Sequence, residues 1–398
     1  SITEVLLYIW LMRASDFESA EFGTVHTRSD GIQWFEPNPL PRHLALDDET
    51  LIALSHADAA IGRLDGIAQL LKNPDIIARP YAAREAVASS RIEGTHATLA
   101  EMYESEAGKA RDFVEDVRAI EAYTTALSVG LDSVGEKQLS LNGLRNVHQR
   151  LMRNAGHPDF AGEWRTGTVW VGSPTGGPEA AAFVPPPETE IERLMADWIE
   201  WHHNPPRLPL LVRIALLHYQ FLTIHPFIDG NGRVGRILIQ MILEEEQALS
   251  APLLYVSSYF ASRRIEYYDR LQAVRQKGAI QEWLQFFLTA VHVQANDGVK
   301  RAMELLDLRE TYRTGLSGSR SRAPELVDML FENPIVSARQ VQDHMRVSNQ
   351  GALNLIRGLE RRSWLVPFVT RGRGGSRYWL AQDILGLFDD EHRPTGIK

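Results

Sequence analysis

Cysteine is absent from the 398-residue chain. Its absence excludes disulfide frameworks, thiolate metal sites and cysteine nucleophiles, although it fits either redox environment and so names no compartment. Long apolar runs are also absent. None approaches the roughly 20 residues that span a bilayer, and the hydrophobic stretch at residues 5–12 has no basic leader and no small-residue cleavage pattern. We therefore expect a cytoplasmic protein that does not associate with membranes.

Positive charge is scarce overall but concentrated near the C-terminus. The chain has 42 lysines and arginines against 51 acidic residues, and its net charge of −9 argues against nucleic-acid binding by the whole chain. Between residues 320 and 380, however, there are ten arginines and five acidic residues. Such segregation in an acidic protein favours a local DNA-facing surface.

The hydrophobic pattern predicts a mainly α fold. Apolar residues recur at three- and four-residue spacings from Leu51 to Leu64, and helical patterns continue through most of the chain to residue 308. Prolines among polar residues before residue 45 predict an extended arm or irregular packing against the body. The predicted segments are an N-terminal arm and helical region (1–110), a helical core (111–308), a linker rich in glycine and serine (309–322) and a C-terminal domain (323–398).

The core contains two helices joined by a tight bend. Residues 208–224 are apolar on nearly every face, which predicts a helix enclosed by other helices. The next helix is predicted over residues 234–246, with a Gly-Asn-Gly bend at 230–232 between the two. Strand-like residues flank a Ser-Pro-Thr-Gly-Gly-Pro turn and predict a small β-hairpin at residues 169–184.

The C-terminal domain has the layout of a winged helix-turn-helix, with three short helices followed by two strands around an Arg-Gly-rich turn. If the third helix, residues 348–361, is the recognition helix, its polar residues can meet base edges while arginines of the wing meet phosphates. Protein contact or dimerisation through the same domain is an equal alternative. The candidate base readers are Asn349, Gln350, Asn354 and Arg357, and the candidate phosphate ligands are Arg371, Arg373 and Arg377.

The run from His225 to Arg236, HPFIDGNGRVGR, is the most informative part of the chain. Gly230 and Gly232 allow the backbone to turn sharply against a ligand, and the helix that follows presents N–H groups and the positive end of its dipole. Arg233 and Arg236 are three residues apart and so lie on one side of that helix. Together these features predict a polyphosphate site.

Three other residues of this run extend the prediction. Asp229 would repel phosphate directly, but its carboxylate can hold a Mg²⁺ that bridges to the phosphates. The imidazole of His225 can accept a proton from an attacking hydroxyl near neutral pH. Phe227 is most simply an apolar anchor for the loop. Taken singly, each residue has an ordinary alternative, since histidines often pack or cap and Asp-Gly pairs often only turn the chain.

Every specified position of this run matches the signature of the Fic (filamentation induced by cAMP) family, His-x-Phe-x-Asp/Glu-Gly-Asn-Gly-Arg-x-x-Arg. The chain thus resembles Fic proteins. The resemblance implies an all-α core that transfers AMP from ATP to a hydroxyl side chain of a target protein and releases pyrophosphate, with Mg²⁺ as cofactor and the hairpin as a flap that clamps the target. The implied site comprises His225 as base, Asp229 as Mg²⁺ ligand and the ATP contacts Gly230, Asn231, Gly232, Arg233, Val234, Gly235, Arg236, Ser262 and Tyr268. Ser262 and Tyr268 are the contacts to the adenine base, because they follow the core helix where the family builds its adenine pocket; structural packing is an equal alternative for Tyr268.

A second resemblance lies far from this motif. The run from Ser89 to Gly94, SSRIEG, resembles the family's inhibitory motif Ser/Thr-x-x-x-Glu-Gly/Asn, with Ser89 as the hydroxyl and Glu93 as the acid. The resemblance implies that Glu93 pairs with Arg236 and competes for the guanidinium that should orient the γ-phosphate. So loose a pattern also arises by chance, and a helix C-cap explains Gly94 equally well.

Alternative functions remain open at the level of sequence. The chain is either an AMP-transferring enzyme with an accessory module or a DNA-binding regulator whose Fic-like core senses nucleotide. His225 favours the enzyme, because a sensor does not need a base. Removal of AMP from modified targets by the same site is a third function, and self-modification and a homodimer are compatible with each of them.

Overall fold

The protein is mainly α, as predicted. The computed structural model describes residues 12–70, 75–106, 114–135, 137–172, 181–318, 321–368 and 377–389. The helices are α1 (Asp48–Leu70), α2 (Asp75–Ile92), α3 (Leu99–Glu106), α4 (Val114–Gly135), α5 (Leu141–Ala155), α6 (Ile191–His203), α7 (Leu210–Ile224), α8 (Asn231–Glu245), α9 (Ser257–Ser262), α10 (Arg264–Lys277), α11 (Ile280–Gly315), α12 (Ala323–Glu332), α13 (Ala338–Met345), α14 (Asn349–Glu360) and α15 (Gln382–Phe388). The strands are β1 (Gly23–Thr27), β2 (Gln33–Pro37), β3 (Ile335–Ser337), β4 (Val366–Phe368) and β5 (Tyr378–Leu380).

The chain divides into two compact units, each assembled from three stretches of sequence. The first unit takes the described parts of Ser1–Ala59, Thr125–Gln247 and Ser262–His292. The second takes the described parts of Ala60–Thr124, Ala248–Ala261 and Val293–Lys398. The predicted segment 111–308 therefore contributes to both units, because long helices such as α4 and α11 run from one unit into the other.

Helix α7 is the centre of the first unit. Nearly every residue from Leu211 to Ile224 is buried, which confirms the prediction of an enclosed helix. Helices α6 and α8 pack against it. Two buried indoles also donate hydrogen bonds to its carbonyls, Trp198 Nε1 to Leu217 O at 3.1 Å and Trp283 Nε1 to Ala215 O at 3.0 Å. These bonds satisfy the only polar atom of each large apolar side chain.

Three parts of the chain differ from the sequence prediction. Helix α8 begins at Asn231 rather than Val234, so the bend narrows to Gly230, its N-cap. The predicted extended arm contains an antiparallel hairpin, β1–β2, in which Val25 lies opposite Phe35. Helix α11 continues through residues 309–315, which the prediction assigned to the linker.

The predicted hairpin at residues 169–184 is supported by one antiparallel bridge between Val171 and Phe183. Val171 N–H donates to Phe183 O at 2.8 Å, and Ala182 N–H donates to Val171 O at 2.9 Å. The chain after Phe183 then contacts strand β2, where Phe35 N–H donates to Val184 O at 3.0 Å. Residues 173–180, the predicted turn, lie outside the described residues.

The winged helix-turn-helix of the second unit has the three predicted helices, α12 to α14, and both predicted strands. The structure adds β3 and helix α15, and the antiparallel sheet has the order β3-β5-β4. Ser337 begins α13 with a capping box, in which its hydroxyl accepts from Gln340 N–H while the Gln340 side chain accepts from Ser337 N–H. The predicted wing residues Arg371 and Arg373 lie outside the described residues.

Within the described ranges, no helix combines the length and the apolar character needed to cross a membrane.

Candidate active site

His225 lies at the end of the buried helix α7, in a left-handed conformation with φ 53° and ψ 58°. Its backbone N–H donates to Phe221 O at 3.0 Å and closes the helix. Its ring Nδ1 lies 3.2 Å from Leu222 O. Because a carbonyl only accepts, Nδ1 carries the proton and Nε2 is the basic nitrogen of the ring. The helix that precedes it thus fixes the orientation of this half-buried imidazole.

Asn231, the first residue of α8, fixes the loop that follows His225. Its side-chain Oδ1 accepts from Phe227 N–H, and its Nδ2 donates to Phe227 O, both at 2.9 Å. Both residues are buried, with Asn231 2% exposed and Phe227 fully enclosed. From the sequence, Asn231 has a role only as an ATP contact implied by the family resemblance. In the structure, the amide of Asn231 provides hydrogen-bond partners for the N–H and the carbonyl of the buried Phe227.

His148, on α5, supports the same loop from the other side. Its Nε2 donates to Asp229 O at 3.0 Å, and its Nδ1 accepts from Gly162 N–H at 2.9 Å. Its ring stacks on Phe227, with 3.7 Å between ring centroids and 11° between planes. Burial lowers the pKa of His148 to about 4, so it remains the neutral tautomer that both bonds require. No local motif in the sequence singles out this histidine.

Gly230 begins α8 in a left-handed conformation, with φ 81°. A Cβ at this position would lie 3.0 Å from Met152 Sδ and 3.5 Å from His148 Cδ2, so both the backbone angle and the space require glycine. The N–H of Val234 is the first to bond back into the helix, to Gly230 O at 2.9 Å. The earlier N–H groups of α8 have no acceptor within the helix and lie at the positive end of its dipole.

Arg233 and Asp229 form an ion pair over this helix end. Arg233 Nη2 donates to Asp229 Oδ2 at 3.0 Å, and the carboxylate of Asp229 is 56% exposed. The Arg233 residue is only 9% exposed, and its Nε is a buried donor with no acceptor among the described residues. An unpaired buried donor is costly, and it marks a place where a ligand oxygen would be stabilised.

Arg165 joins this site to the residues just before and just after the predicted flap. Its Nε donates to His225 O at 2.9 Å, its Nη1 to Gly167 O at 3.0 Å and its Nη2 to Pro186 O. The guanidinium is buried, which lowers the pKa of Arg165 to about 10, while nearby Glu188 acts in the opposite direction. It remains a cation near neutral pH, and its three carbonyl partners offset part of the cost of burial.

Three family models match the chain. They are described as Fic/DOC family N-terminal over residues 51–132, Fic/DOC family over 138–243 and HTH DNA binding domain over 323–379. Two of these models thus identify a Fic domain and its N-terminal region within this chain. The run HPFIDGNGRVGR falls within the second of these matches, and the predicted helix-turn-helix coincides with the third.

Curated relatives match only part of this chain. A protein adenylyltransferase of Caenorhabditis briggsae is 30% identical over 155 residues, which are 38% of this chain and 28% of the relative. A probable protein adenylyltransferase of Aquifex aeolicus is 36% identical over 84 residues, 21% of this chain and 26% of the relative. The chain thus matches less than a third of the length of each of these relatives.

Solved structures share the Fic fold. A Fic family protein from Desulfovibrio desulfuricans G20 superposes with a TM-score of 0.55 at 22% identity, covering 85% of this chain and 97% of that one. A fragment of Fic-1 from Caenorhabditis elegans has a TM-score of 0.52 at 18% identity, covering 65% of this chain and 74% of that one. At these identities the likeness shows the fold alone.

Not every predicted ATP contact of the Fic motif faces outward. The side chain of Val234 is fully buried. Gly235 lies against α7, where a Cβ would be 3.1 Å from Leu222 Cδ2, and its carbonyl accepts from His218 Nδ1 at 2.8 Å. These two residues pack α8 onto α7. Arg236 is 1% exposed on the same helix.

The two predicted base contacts, Ser262 and Tyr268, lie at the junction of α9 and α10. Ser262 Oγ accepts from Arg263 Nη1 at 3.2 Å. The ring of Tyr268 is partly exposed, 5.3 Å from the Tyr267 ring and 5.4 Å from Arg264 Cζ. Both residues have surroundings that also suit structural packing, so their roles at adenine stay predictions.

The predicted inhibitory motif lies at the end of α2 in the second unit. Ser89 is fully buried, whereas Glu93 is exposed just beyond the last helical residue. Gly94 has φ 98°, and Thr95 N–H donates to Ser90 O at 3.2 Å. Gly94 is therefore a helix C-cap residue, and the cap fixes where the chain carries Glu93.

The donor set of the motif fits Mg²⁺ rather than a metal held by protein ligands alone. Among the described residues, no group of three or more histidine, aspartate or glutamate side chains could hold a metal. Asp229 offers a single exposed carboxylate beside the helix end. Mg²⁺ is usually held by one or two carboxylates together with phosphate oxygens and water.

Proposed function

We propose that this chain is a protein adenylyltransferase, which transfers AMP from ATP to a serine, threonine or tyrosine hydroxyl of a target protein. The observation that carries the proposal is the corner between α7 and α8. There, an imidazole oriented through Leu222 O immediately precedes a helix end where Arg233 Nε has no described acceptor. A base beside an oxyanion site is what attack of a hydroxyl on a phosphate requires. Relatives named protein adenylyltransferase support the same reaction.

In the proposed reaction, Nε2 of His225 takes the proton of the target hydroxyl, and the hydroxyl oxygen bonds to the α-phosphorus of ATP. The bond from that phosphorus to the oxygen bridging the β-phosphate breaks, and pyrophosphate leaves with that oxygen. The N–H groups at the start of α8 hold α-phosphate oxygens, and Arg233 and Arg236 bind the distal phosphates. The neutral His148 and the amide of Asn231 keep the loop in place during the transfer.

Asp229 is the residue proposed to hold Mg²⁺. When bound, the ion supplies positive charge that neutralises the phosphates. Arg233 Nη2 lies 3.0 Å from Asp229 Oδ2, so the carboxylate that would hold the ion also keeps this arginine beside the start of α8.

We also propose that Glu93 inhibits the site by pairing with Arg236. The cap at Gly94 places Glu93 at the exposed end of α2, and the sequence match around Ser89 supports the assignment. An arginine held by a carboxylate cannot orient the γ-phosphate, so ATP would bind in an unproductive pose.

The test compares wild type, Glu93→Gly and His225→Ala after incubation with ATP labelled at the α or the γ position, alone and in cell lysate. Label from the α position alone, raised at least tenfold by Glu93→Gly and absent in His225→Ala, is expected. Glu192→Gly, at an exposed position of α6, is the control for replacing an exposed glutamate by glycine. Label from the γ position would contradict adenylyl transfer, and loss of AMP from a modified protein would assign hydrolysis instead.

A second proposed activity is binding of duplex DNA by the C-terminal domain, which matches an HTH DNA binding domain. Helix α14 presents exposed Asn349, Gln350, Asn354 and Arg357, and Ser348 caps it by accepting from Gly351 N–H at 3.1 Å. A random duplex pool should bind with an affinity that falls steeply with salt, and Arg357→Ala should weaken it. Arg339→Ala, exposed on α13, is the matched control. Binding that ignores salt and Arg357 would contradict this activity.

A further inference from the structure

The helix that ends at the proposed inhibitory motif is held by the C-terminal domain. Helix α2 packs against α12 and α15, all within the second unit. Tyr81 of α2 meets Phe388 of α15 edge to face, with 5.4 Å between ring centroids and 84° between planes. Each of the two residues is 3% exposed, so the contact is part of a dry core rather than a surface touch.

Charged groups continue this interface through α11. Arg84 of α2 pairs with Asp297 of α11 at 2.7 Å, and Asp297 also accepts from Arg301 Nε at 2.8 Å. Arg301 is buried and donates to Leu387 O in α15. The hydroxyl of Tyr81 adds a bond to Gly298 O at 2.9 Å. One side of α2 is thereby linked, through α11, to the last helix of the C-terminal domain.

An outer pair completes the contact. Arg79 of α2 lies 3.6 Å from Glu332 at the end of α12, and both side chains are about half exposed. Glu106 of α3 accepts from Asn333 Nδ2, one residue further on, at 3.2 Å. Helix α12 therefore has α2 on one side, and its other neighbours include α14, the proposed recognition helix.

We propose that the C-terminal domain acts as a clasp on α2, so that the docking of α12 and α15 sets how firmly Glu93 is held in its inhibitory position. The proposal rests on adenylyl transfer and its inhibition by Glu93, as proposed above. A tethered carboxylate competes for an arginine in proportion to its local concentration, and that concentration falls when the helix carrying it gains freedom. Loosening the clasp therefore raises transfer, without any change in the catalytic motif.

The first experiment exchanges the charges of the outer pair and measures self-labelling from α-labelled ATP. Because an exposed pair contributes little, Glu332→Arg and Arg79→Glu should each raise labelling by about two- to fivefold. The double variant Arg79→Glu/Glu332→Arg should return to the wild-type rate. Asp343→Arg makes the same charge change in the same domain but breaks only a pair within α13, and it should leave labelling unchanged.

The second experiment uses the buried contact and a readout that does not need activity. Phe388→Ala should raise labelling by at least tenfold and speed hydrogen exchange of the backbone at residues 81–92, while Asp343→Arg leaves that exchange at the wild-type rate. The clasp would be overturned if Glu93→Gly raised labelling but every clasp variant kept the labelling and the hydrogen exchange of the wild type. That result would leave the proposed transferase function intact. If even Glu93→Gly transfers no label, the proposed transferase function is overturned, and the exchange rate of residues 81–92 alone decides the clasp.

Discussion

The side-chain amide of Asn231 binds both backbone polar groups of Phe227, with 2.9 Å at each end. Phe227 and Asn231 lie on either side of Asp229 in sequence, so the two hydrogen bonds fix the conformation of the loop between them. The geometry of the base before the loop and of the helix end after it depends on this conformation. Asn231 is therefore a positioning residue with a defined mechanical role.

Two replacements of Asn231 should show what each of its two hydrogen bonds contributes to stability and to transfer. Asn231→Ala leaves a buried N–H and a buried carbonyl unsatisfied, which should cost about 2 to 4 kcal/mol of stability and lower transfer at least tenfold. Asn231→Asp keeps the acceptor for Phe227 N–H but loses the donor, so it should fall between alanine and wild type at neutral pH. Thermal unfolding and labelling from ATP measure the two effects. Asn142→Ala, exposed on α5, is the control, and an equal loss in both alanine variants would contradict the role.

Gly230→Ala tests whether the turn needs glycine for its backbone angle alone. Its φ of 81° is costly for alanine by about 1–2 kcal/mol, and the new methyl would also crowd Met152 Sδ at 3.0 Å. We expect transfer to fall by more than tenfold because the start of α8 must shift. Gly31→Ala has a similar φ of 85° with nothing within 4 Å of the added Cβ.

The two alanine variants can be compared directly. Gly31→Ala should lose a similar amount of stability from the backbone angle but keep full transfer, since the β1–β2 turn does not carry the site. Equal activity of the two variants, measured by labelling alongside thermal unfolding, would show that the catalytic turn tolerates a side chain.

The sequence predicts the parts of this molecule that depend on local chemistry. The enclosed helix α7, the glycine at the head of α8 and the helices of the C-terminal domain follow from hydrophobic pattern and turn residues. The proposed base and the arginines proposed to bind phosphate follow from one run of twelve residues. All of these signals are short and contiguous.

The supporting residues could not be predicted in that way. His148 contacts Asp229 O from 81 residues away in sequence, and Arg165 contacts His225 O from 60 residues away. Neither residue belongs to a motif, and their partners are backbone carbonyls, which have no signature in the side-chain sequence. The hairpin β1–β2 was missed because its strands are only five residues long and β2 ends in proline.

The free energy of unfolding should depend on pH because the pKa of the buried His218 differs between the folded and the unfolded chain. Burial lowers its pKa from 6.5 to about 3, aided by Arg236, while its bond to Gly235 acts in the opposite direction. In the unfolded chain it takes up a proton below about pH 6.5, so the unfolded state gains protons first as the pH falls. The stabilisation is thus complete above pH 6.5 and is lost progressively down to pH 3.

Denaturant unfolding between pH 7 and pH 4 should therefore show stability falling with acid, with a shallower slope in His218→Asn. Asparagine keeps a donor for Gly235 O but does not titrate. His148 contributes a slope of the same sign, since its pKa is lowered to about 4, so the slope should not vanish. His43→Asn, at an exposed position, should follow the wild type. An unchanged slope in His218→Asn would contradict the assignment.

Arg165 should be irreplaceable by lysine although both side chains are cations. Its guanidinium reaches His225 O, Gly167 O and Pro186 O at once, so it joins the base to the residues just before and just after the flap. A lysine ammonium is a compact donor on a flexible stem and cannot span three separated carbonyls. Arg165→Lys should lower the rate of transfer at saturating ATP by at least tenfold.

Because the start of α8 and Arg233 are untouched, the ATP affinity of Arg165→Lys should stay within about threefold of wild type. Steady-state labelling and direct ATP titration separate the two quantities, and Arg150→Lys, exposed on α5, controls for the substitution itself. A loss of ATP affinity that matches the loss of rate would show that Arg165 supports the phosphate site rather than the base and the flap.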